Sequence, residues 1–157
     1  MDTLTGTDLE GYELLAGLPM EDLEAMAACA QRVEVRGGEP LFRQGERAVH
    51  FFLVEEGRVV VQMESPGGEA ANVLAVRRRE PFGWSGVVEP RFYTGSGQAV
   101  DRSLVIRFDA DRLLDVFEKR PVLGYRFMSR LASLVATRLR EHWVEICSRT
   151  RSWKPLK

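Results

Sequence analysis

Short apolar runs separated by turn residues occupy the middle of the chain. Between residues 33 and 108, runs rich in Val, Phe and Leu alternate with turn signals at Gly37-Gly38, Gly45-Glu46, Glu56-Gly57 and Pro66-Gly67-Gly68. This pattern predicts strands at 33–36, 40–43, 50–55, 58–64, 70–76, 96–101 and 103–108. Many short strands with frequent turns favour a sandwich or barrel, and the lack of alternating helical segments argues against a Rossmann-type sheet.

Helical periodicity flanks the strand region on both sides. Residues 8–30 are predicted to be helical, with Pro19 in a first turn whose positive end is complemented by Glu21 and Asp22. The apolar face of this helix is expected to contain Leu23, Met26, Ala27 and Ala30. On the other side, Asp109 is predicted to cap a short helix through Lys119, and Pro121 to open a long helix over 121–147.

The predicted long helix carries two apolar stripes. The first, expected to pack on the strands, contains Leu123, Phe127, Leu131 and Leu134. The second has coiled-coil spacing and contains Met128, Ala132, Val135, Leu139, His142 and Ile146. We predict that the second stripe is a homodimer interface, and the alternative is that both stripes belong to the intrachain core.

Composition is that of one globular domain. The chain has 157 residues, of which 45% are apolar and 29% charged, and its formal net charge is −1. Such a balance gives no general attraction to nucleic acid or membranes. The acidic N-terminus is no signal peptide and no stretch is long and apolar enough to span a bilayer, so we expect a cytoplasmic protein. The basic tail 148–157 and the run Arg77-Arg78-Arg79 are expected to be solvated.

Few side chains offer metal-ligating or nucleophilic chemistry. The cysteines Cys29 and Cys147 can form neither a disulfide framework nor a four-ligand metal site. No Ser/His/Asp or Cys/His set is suggested, so we predict a non-enzymatic protein without a metal. A cupin-like metal-dependent enzyme is the alternative, but only His50 lies in the strand region. A haem-based sensor that uses His50 or His142 also stays open.

The segment 41–62 carries a family resemblance. Its tight turn at Gly45-Glu46, its strand Phe51–Val54 and its turn at Gly57 resemble the cyclic-nucleotide-binding domain of Crp/Fnr regulators and of kinase regulatory subunits. Phe82-Gly83, the stretch 99–109 and the long helix continue the resemblance in order, over residues 12–147. The resemblance implies a mainly β fold with flanking helices: an eight-stranded, jelly-roll-like β-roll (double-stranded β-helix) with N-terminal helices and a long C-terminal helix. The domain is then a helical part at 8–30, a roll at 33–108, helices at 109–147 and the tail.

The phosphate cassette, which the resemblance assigns to residues 82–94, departs from the family pattern. The family has a glutamate that holds the ribose hydroxyl and, several residues later, an arginine that pairs with the cyclic phosphate. Here Trp84 stands in place of the glutamate and Tyr93 in place of the arginine, while Arg91 comes two residues early and Glu89 is not expected to restore the acid. A charge-assisted hydrogen bond contributes about 1.5–3 kcal/mol, so losing both weakens a micromolar site to about the millimolar range. We expect cyclic nucleotides to bind weakly or not at all.

The resemblance implies a ligand pocket built from the cassette and the long helix, which closes over the base in the family. Its expected residues are Phe82, Gly83, Trp84, Ser85, Gly86, Arg91, Tyr93, Thr94, His142 and Trp143. The aromatic replacements either fill this pocket as core or line it for a flatter, less charged ligand. Ten residues after Cys147 cannot form a helix-turn-helix, so we expect no DNA binding and predict a stand-alone regulatory module that modulates an unknown partner protein.

Overall fold

Eight antiparallel strands form two four-stranded sheets that make up a β-roll. The computed structural model describes residues 3–149, and predictions for Arg151, Lys154 and Lys157 lie outside it. The strands are β1 (Ala30–Val35), β2 (Pro40–Phe42), β3 (His50–Glu56), β4 (Val59–Glu64), β5 (Ala70–Val76), β6 (Pro81–Phe82), β7 (Ser96–Ala99) and β8 (Ser103–Asp109). One sheet has the order β1-β8-β3-β6 and the other β2-β7-β4-β5.

Helices cover the first sheet. Two short 3₁₀ turns, Gly6–Leu9 and Glu13–Leu15, precede α1 (Met20–Ala27), and α2 (Ala110–Lys119) and α3 (Pro121–Arg149) follow the roll. The prediction of a helical segment over 8–30 was wrong in extent, because Gly11 and Gly17 break it with φ of 84° and 73°. Ala30, expected on the helix face, begins β1 and pairs with Phe108. Within residues 3–149, no helix combines the length and apolar character needed to cross a bilayer.

The apolar run in β3 is continuous because both faces of this strand are buried. Successive strand residues point to opposite sides, so Phe51 and Leu53 face the helices while Phe52 and Val54 face the roll interior. The apolar cluster between this sheet and the helices, which contains Phe51 and Leu53, also contains Leu123, Phe127 and Leu131 from α3. The first predicted stripe therefore packs on the roll, with Leu134 half-buried at its end.

Asp109 joins the roll to α2 and caps that helix. Its carboxylate accepts a hydrogen bond from the Arg112 N–H at 3.0 Å, as predicted. Asp109→Ala should lower the free energy of unfolding by about 1 kcal/mol, since the N–H loses its partner. Urea denaturation measures this, and Asp109→Asn, which can still accept the bond, serves as the matched control. Equal stability of the alanine and asparagine variants would contradict the capping role.

Candidate functional site

A cavity of about 220 Å³ lies where α3 crosses the open side of the roll. Its walls come from β4 and β5, from the segments 83–85 and 93–95, and from one face of α3. The lining residues are Phe42, Val61, Val73, Leu74, Gly83, Trp84, Ser85, Tyr93, Thr94, Gly95, Val135, Arg138, Leu139 and His142. Most are apolar, so the cavity suits a small molecule with an apolar body.

Glycines shape the cassette turn. Gly83 has φ of 70°, a left-handed conformation that precedes the 3₁₀ turn Trp84–Gly86, and a Cβ there would lie 2.9 Å from Phe52 Cδ2. A Cβ on Gly86 would lie 2.5 Å from the carbonyl oxygen of His50. The turn is therefore pressed onto β3, and this close approach holds Trp84 and Ser85 at the mouth of the cavity.

Tyr93 is both core and cavity floor. Its ring stacks on Phe42 with centroids 3.9 Å apart. Its hydroxyl donates a hydrogen bond to the His50 carbonyl at 2.8 Å and accepts one from the His50 N–H at 3.2 Å. Burial raises the pKa of this phenol. The side chain that was expected in place of the family arginine is thus fixed in place, neutral and fully hydrogen-bonded.

Arg138 of α3 lies over Trp84. Its guanidinium carbon is 5.4 Å from the centre of the indole ring, within the range of a cation–π contact. Nη1 donates to the Pro81 carbonyl at 3.2 Å, and Nη2 is 3.7 Å from Glu80 Oε2. Together these contacts join the cassette and β6 to α3 beside the cavity.

Arg91 points away from the cavity. Its Nε donates to the Gly86 carbonyl at 3.0 Å, and its Nη1 is 2.8 Å from Asp111 Oδ1 of α2. This pairing holds the pKa of Asp111 below its ordinary value. Arg91 thus ties the cassette to α2, which is a structural role distinct from that of the family arginine.

The structure brings together only part of the predicted pocket. Gly83, Trp84, Ser85, Tyr93, Thr94 and His142 line the cavity. Phe82 is buried and stacks on Phe52, Gly86 packs on β3, and Trp143 is 58% exposed farther along α3. Sequence reasoning missed Arg138, since no motif marks a helical arginine that lies far from the cassette in sequence. It also assigned Val135 and Leu139 to the predicted dimer stripe and not to the pocket, although both line this cavity.

The second stripe of α3 is only partly exposed. Met128 and Val135 pack against the core of their own chain, because this side of the helix faces the roll. The residues next to Met128, Val135 and His142, at positions 129, 136 and 143, are exposed. With the exposed members of the predicted stripe they form a row whose positions are three and four residues apart. We define the α3 seam as Val122, Tyr125, Ser129, Ala132, Ala136, Leu139, Trp143 and Ile146. Three members of the predicted stripe, Ala132, Leu139 and Ile146, belong to it.

The histidines and acidic residues form no metal-binding group within residues 3–149: no three His, Cys, Asp or Glu side chains there are arranged to hold an ion. His142 lines the cavity and is exposed, whereas His50 is half-buried beside Phe52 and outside the lining. Burial lowers the pKa of His50. Cys29 is buried, and burial also raises the pKa of its thiol, while Cys147 is exposed on α3.

Residues 32–120 match the family model described as the cyclic nucleotide-binding domain. The chain belongs to this family. A putative cyclic nucleotide-binding protein from Geobacter metallireducens has a similar structure, with 26% identity and a TM-score of 0.77 over 87% of this chain and 98% of that one. A cyclic nucleotide-binding domain from Methylobacillus flagellatus shares the fold at 18% identity, with a TM-score of 0.79 over 96% of this chain and 84% of the other.

Among curated proteins, the cyclic AMP receptor protein of Thermus thermophilus is 25% identical over 138 residues, or 88% of this chain. The chain spans only 62% of that relative's length. The comparisons confirm the resemblance and the β-roll with its N-terminal helix and long C-terminal helix. Cyclic nucleotide-binding domains are typically regulatory modules without enzymatic activity. In this chain, the segment that the resemblance assigns to the cassette forms the 3₁₀ turn Trp84–Gly86 and contributes Trp84 and Tyr93 to the cavity lining.

Proposed function

We propose that this protein is a sensor domain that binds a small ligand other than a standard cyclic nucleotide and regulates a partner protein as a homodimer. The observation that carries the proposal is the cavity of about 220 Å³ at the cassette, lined by no Asp or Glu among the described residues. A cyclic nucleotide therefore finds no carboxylate to hold its ribose hydroxyl, and the fixed phenol of Tyr93 offers no positive charge to its phosphate.

Ligand occupancy and assembly share one element in this proposal. The cavity face of α3 contains Val135, Arg138 and His142, and the α3 seam lies next to it on the same helix. Leu139 belongs to both faces. A ligand that contacts α3 would therefore alter the side chains and the position of the helix that forms the dimer, and this would be the signal passed to a partner.

The dimer is proposed from the exposed apolar side chains of the seam. Tyr125 is 75% exposed and Leu139 is 47% exposed, and three short residues between them, Ser129, Ala132 and Ala136, permit close approach of a second helix. A two-fold axis would bring the same surface of each copy together.

Native purification with mass spectrometry of the released small molecules tests the proposed ligand. Val73→Trp adds bulk to the cavity wall, whereas Val100→Trp changes an exposed residue outside it and serves as the matched control. We expect a compound to co-purify with wild type and with the control but not with Val73→Trp. The same compound should raise the melting temperature of the first two proteins only. If all three proteins carry no compound and respond alike to a fractionated cell extract, the cavity is no ligand site.

An absorbance spectrum of the same material tests the haem alternative through His142. A stoichiometric Soret band that disappears in His142→Ala would replace the proposed ligand class with haem. Metal analysis addresses the cupin-like alternative, because stoichiometric iron, zinc or manganese would favour an enzyme.

A further inference from the structure

One permanently charged side chain, Arg138, lines the cavity among the described residues. The side chain is 12% exposed, and desolvation lowers the pKa of the guanidinium. The neighbouring residues accept only part of its hydrogen-bonding capacity. Nη1 donates to the Pro81 carbonyl, but Glu80 Oε2 is 3.7 Å from Nη2, which is beyond hydrogen-bond distance. A largely desolvated arginine with spare donors favours an anion that can approach it from the cavity.

The rest of the cavity is apolar, with two hydroxyls at its edge. Val61, Val73 and Leu74 form the wall contributed by the sheet, and the Tyr93 ring forms the floor. Ser85 and Thr94 supply the hydroxyls, and they come from the two cassette segments. An occupant therefore needs one charged end next to α3 and an uncharged body against the sheet.

The cavity volume limits the size of the body. A buried cavity of about 150 Å³ holds a benzene molecule, so the 220 Å³ found here accepts a six-membered ring or a short alkyl chain with one further polar group. A carboxylate matches the planar fork of an arginine, which can form two parallel hydrogen bonds with it.

We propose that the cavity binds a small monocarboxylate with an apolar body, and that Arg138 is its anchor. This inference rests on the proposed function, because it names the ligand class of the same cavity. It assigns the anionic end of the ligand to α3, whereas the family pattern places the anion partner in the cassette.

Calorimetry with two matched pairs of probes tests the inference. Benzoate is compared with benzamide, and hexanoate with hexanamide, because each pair shares shape and differs in charge. Wild type should bind each carboxylate about tenfold or more tightly than its amide, as expected for one charge-assisted hydrogen bond. Arg138→Gln should remove this preference and leave amide affinity within about twofold, since the apolar walls are unchanged.

Arg130→Gln is the matched control variant. Arg130 also lies on α3 and donates to the Leu14 carbonyl at 3.3 Å, but it is absent from the cavity lining. This variant should keep the full carboxylate preference. Far-ultraviolet circular dichroism and a melting curve show whether Arg138→Gln is folded. Arg138→Lys, which keeps the charge, should retain part of the preference.

The outcomes separate this inference from the proposed function. If the amides bind as tightly as the carboxylates, or if Arg138→Gln keeps the preference, the monocarboxylate class is wrong while the cavity remains a ligand site. Cyclic AMP is included as a further probe, and tighter Arg138-dependent binding of it than of the carboxylates would identify a phosphodiester instead. If neither the carboxylates nor the amides bind at concentrations up to their solubility limits, and no compound co-purifies, both the inference and the proposed function fail.

Discussion

The double variant Trp84→Glu, Tyr93→Arg is expected to gain no cyclic AMP binding and to lose about 2–4 kcal/mol of stability, from the aromatic stacking on Phe42 and the unsatisfied N–H of His50. The Tyr93 hydroxyl accepts from that N–H, and an arginine carries no acceptor. The introduced carboxylate would lie beside Arg138, whose guanidinium is 5.4 Å from the Trp84 ring, and would pair with it rather than with a ribose. Calorimetry with cyclic AMP and urea denaturation measure the two effects.

Two single variants separate the causes. Tyr93→Phe keeps the ring on Phe42 and removes only the hydroxyl, so it should lose about 1–3 kcal/mol from the buried backbone groups left without it. Trp84→Glu alone should stay close to wild type in stability, because Trp84 is only half-buried. A double variant of wild-type stability that binds cyclic AMP at low micromolar concentration would show that the site differs from the family pattern at these two side chains alone.

The strands of the roll could be predicted from the sequence because they are short, apolar and bounded by turns. All seven predicted strands are present, and each end differs from the prediction by no more than three residues. The eighth, Pro81–Phe82, has two residues, which is too few to give an alternating pattern, and it is defined by its pairing with Phe52 and Leu53. In the N-terminal region, helical spacing continued through Ala30, but pairing of β1 with β8 prevailed over local propensity.

The candidate site was predictable mainly where it lies in a contiguous segment, and His142 of α3 is the exception. Sequence comparison with the family pattern located the cassette, of which Gly83, Trp84, Ser85, Tyr93 and Thr94 line the cavity. It also included Arg91 in the expected pocket, yet the backbone between Gly86 and Tyr93 is irregular and the Arg91 side chain pairs with Asp111 of α2. Val73, Leu74 and Arg138 join the site through tertiary packing, for which a single sequence carries no signal.

Helical periodicity likewise predicted that α3 carries an apolar seam, but it did not predict on which side of the helix the seam lies. Stripes that start at Tyr125 or at Met128 both recur at spacings of three and four, so spacing alone cannot separate them. The position of the roll decides, because it covers Met128 and Val135 and leaves Tyr125, Ala136 and Trp143 exposed. Because the exposed seam contains Ala136 in place of Val135, Val135 faces the roll and lines the cavity.

The double variant Ala136→Glu, Trp143→Glu is expected to convert the proposed homodimer into a monomer. Both residues are exposed members of the α3 seam and neither lines the cavity, so ligand binding to the cavity wall should be little affected. In a two-fold interface, each introduced carboxylate would lie near the same carboxylate of the second copy and would be repelled by it. The loss of a tryptophan buried in the interface costs about 2 kcal/mol or more by itself. We expect the dimer dissociation constant to rise at least about 100-fold. Light scattering over a concentration series should give twice the chain mass for wild type and the single mass for the variant.

Val144→Glu is the matched control for this experiment. Val144 is as exposed and apolar as Trp143 and lies in the same turn, but it projects about 100° away around the helix, outside the seam. It should therefore remain a dimer with the wild-type dissociation constant. A wild-type chain that stays monomeric at the highest concentration would end the dimer proposal. A dimer that survives both seam charges but is broken by Val144→Glu would move the interface to the other side of α3, and Leu139 would then belong to the cavity alone.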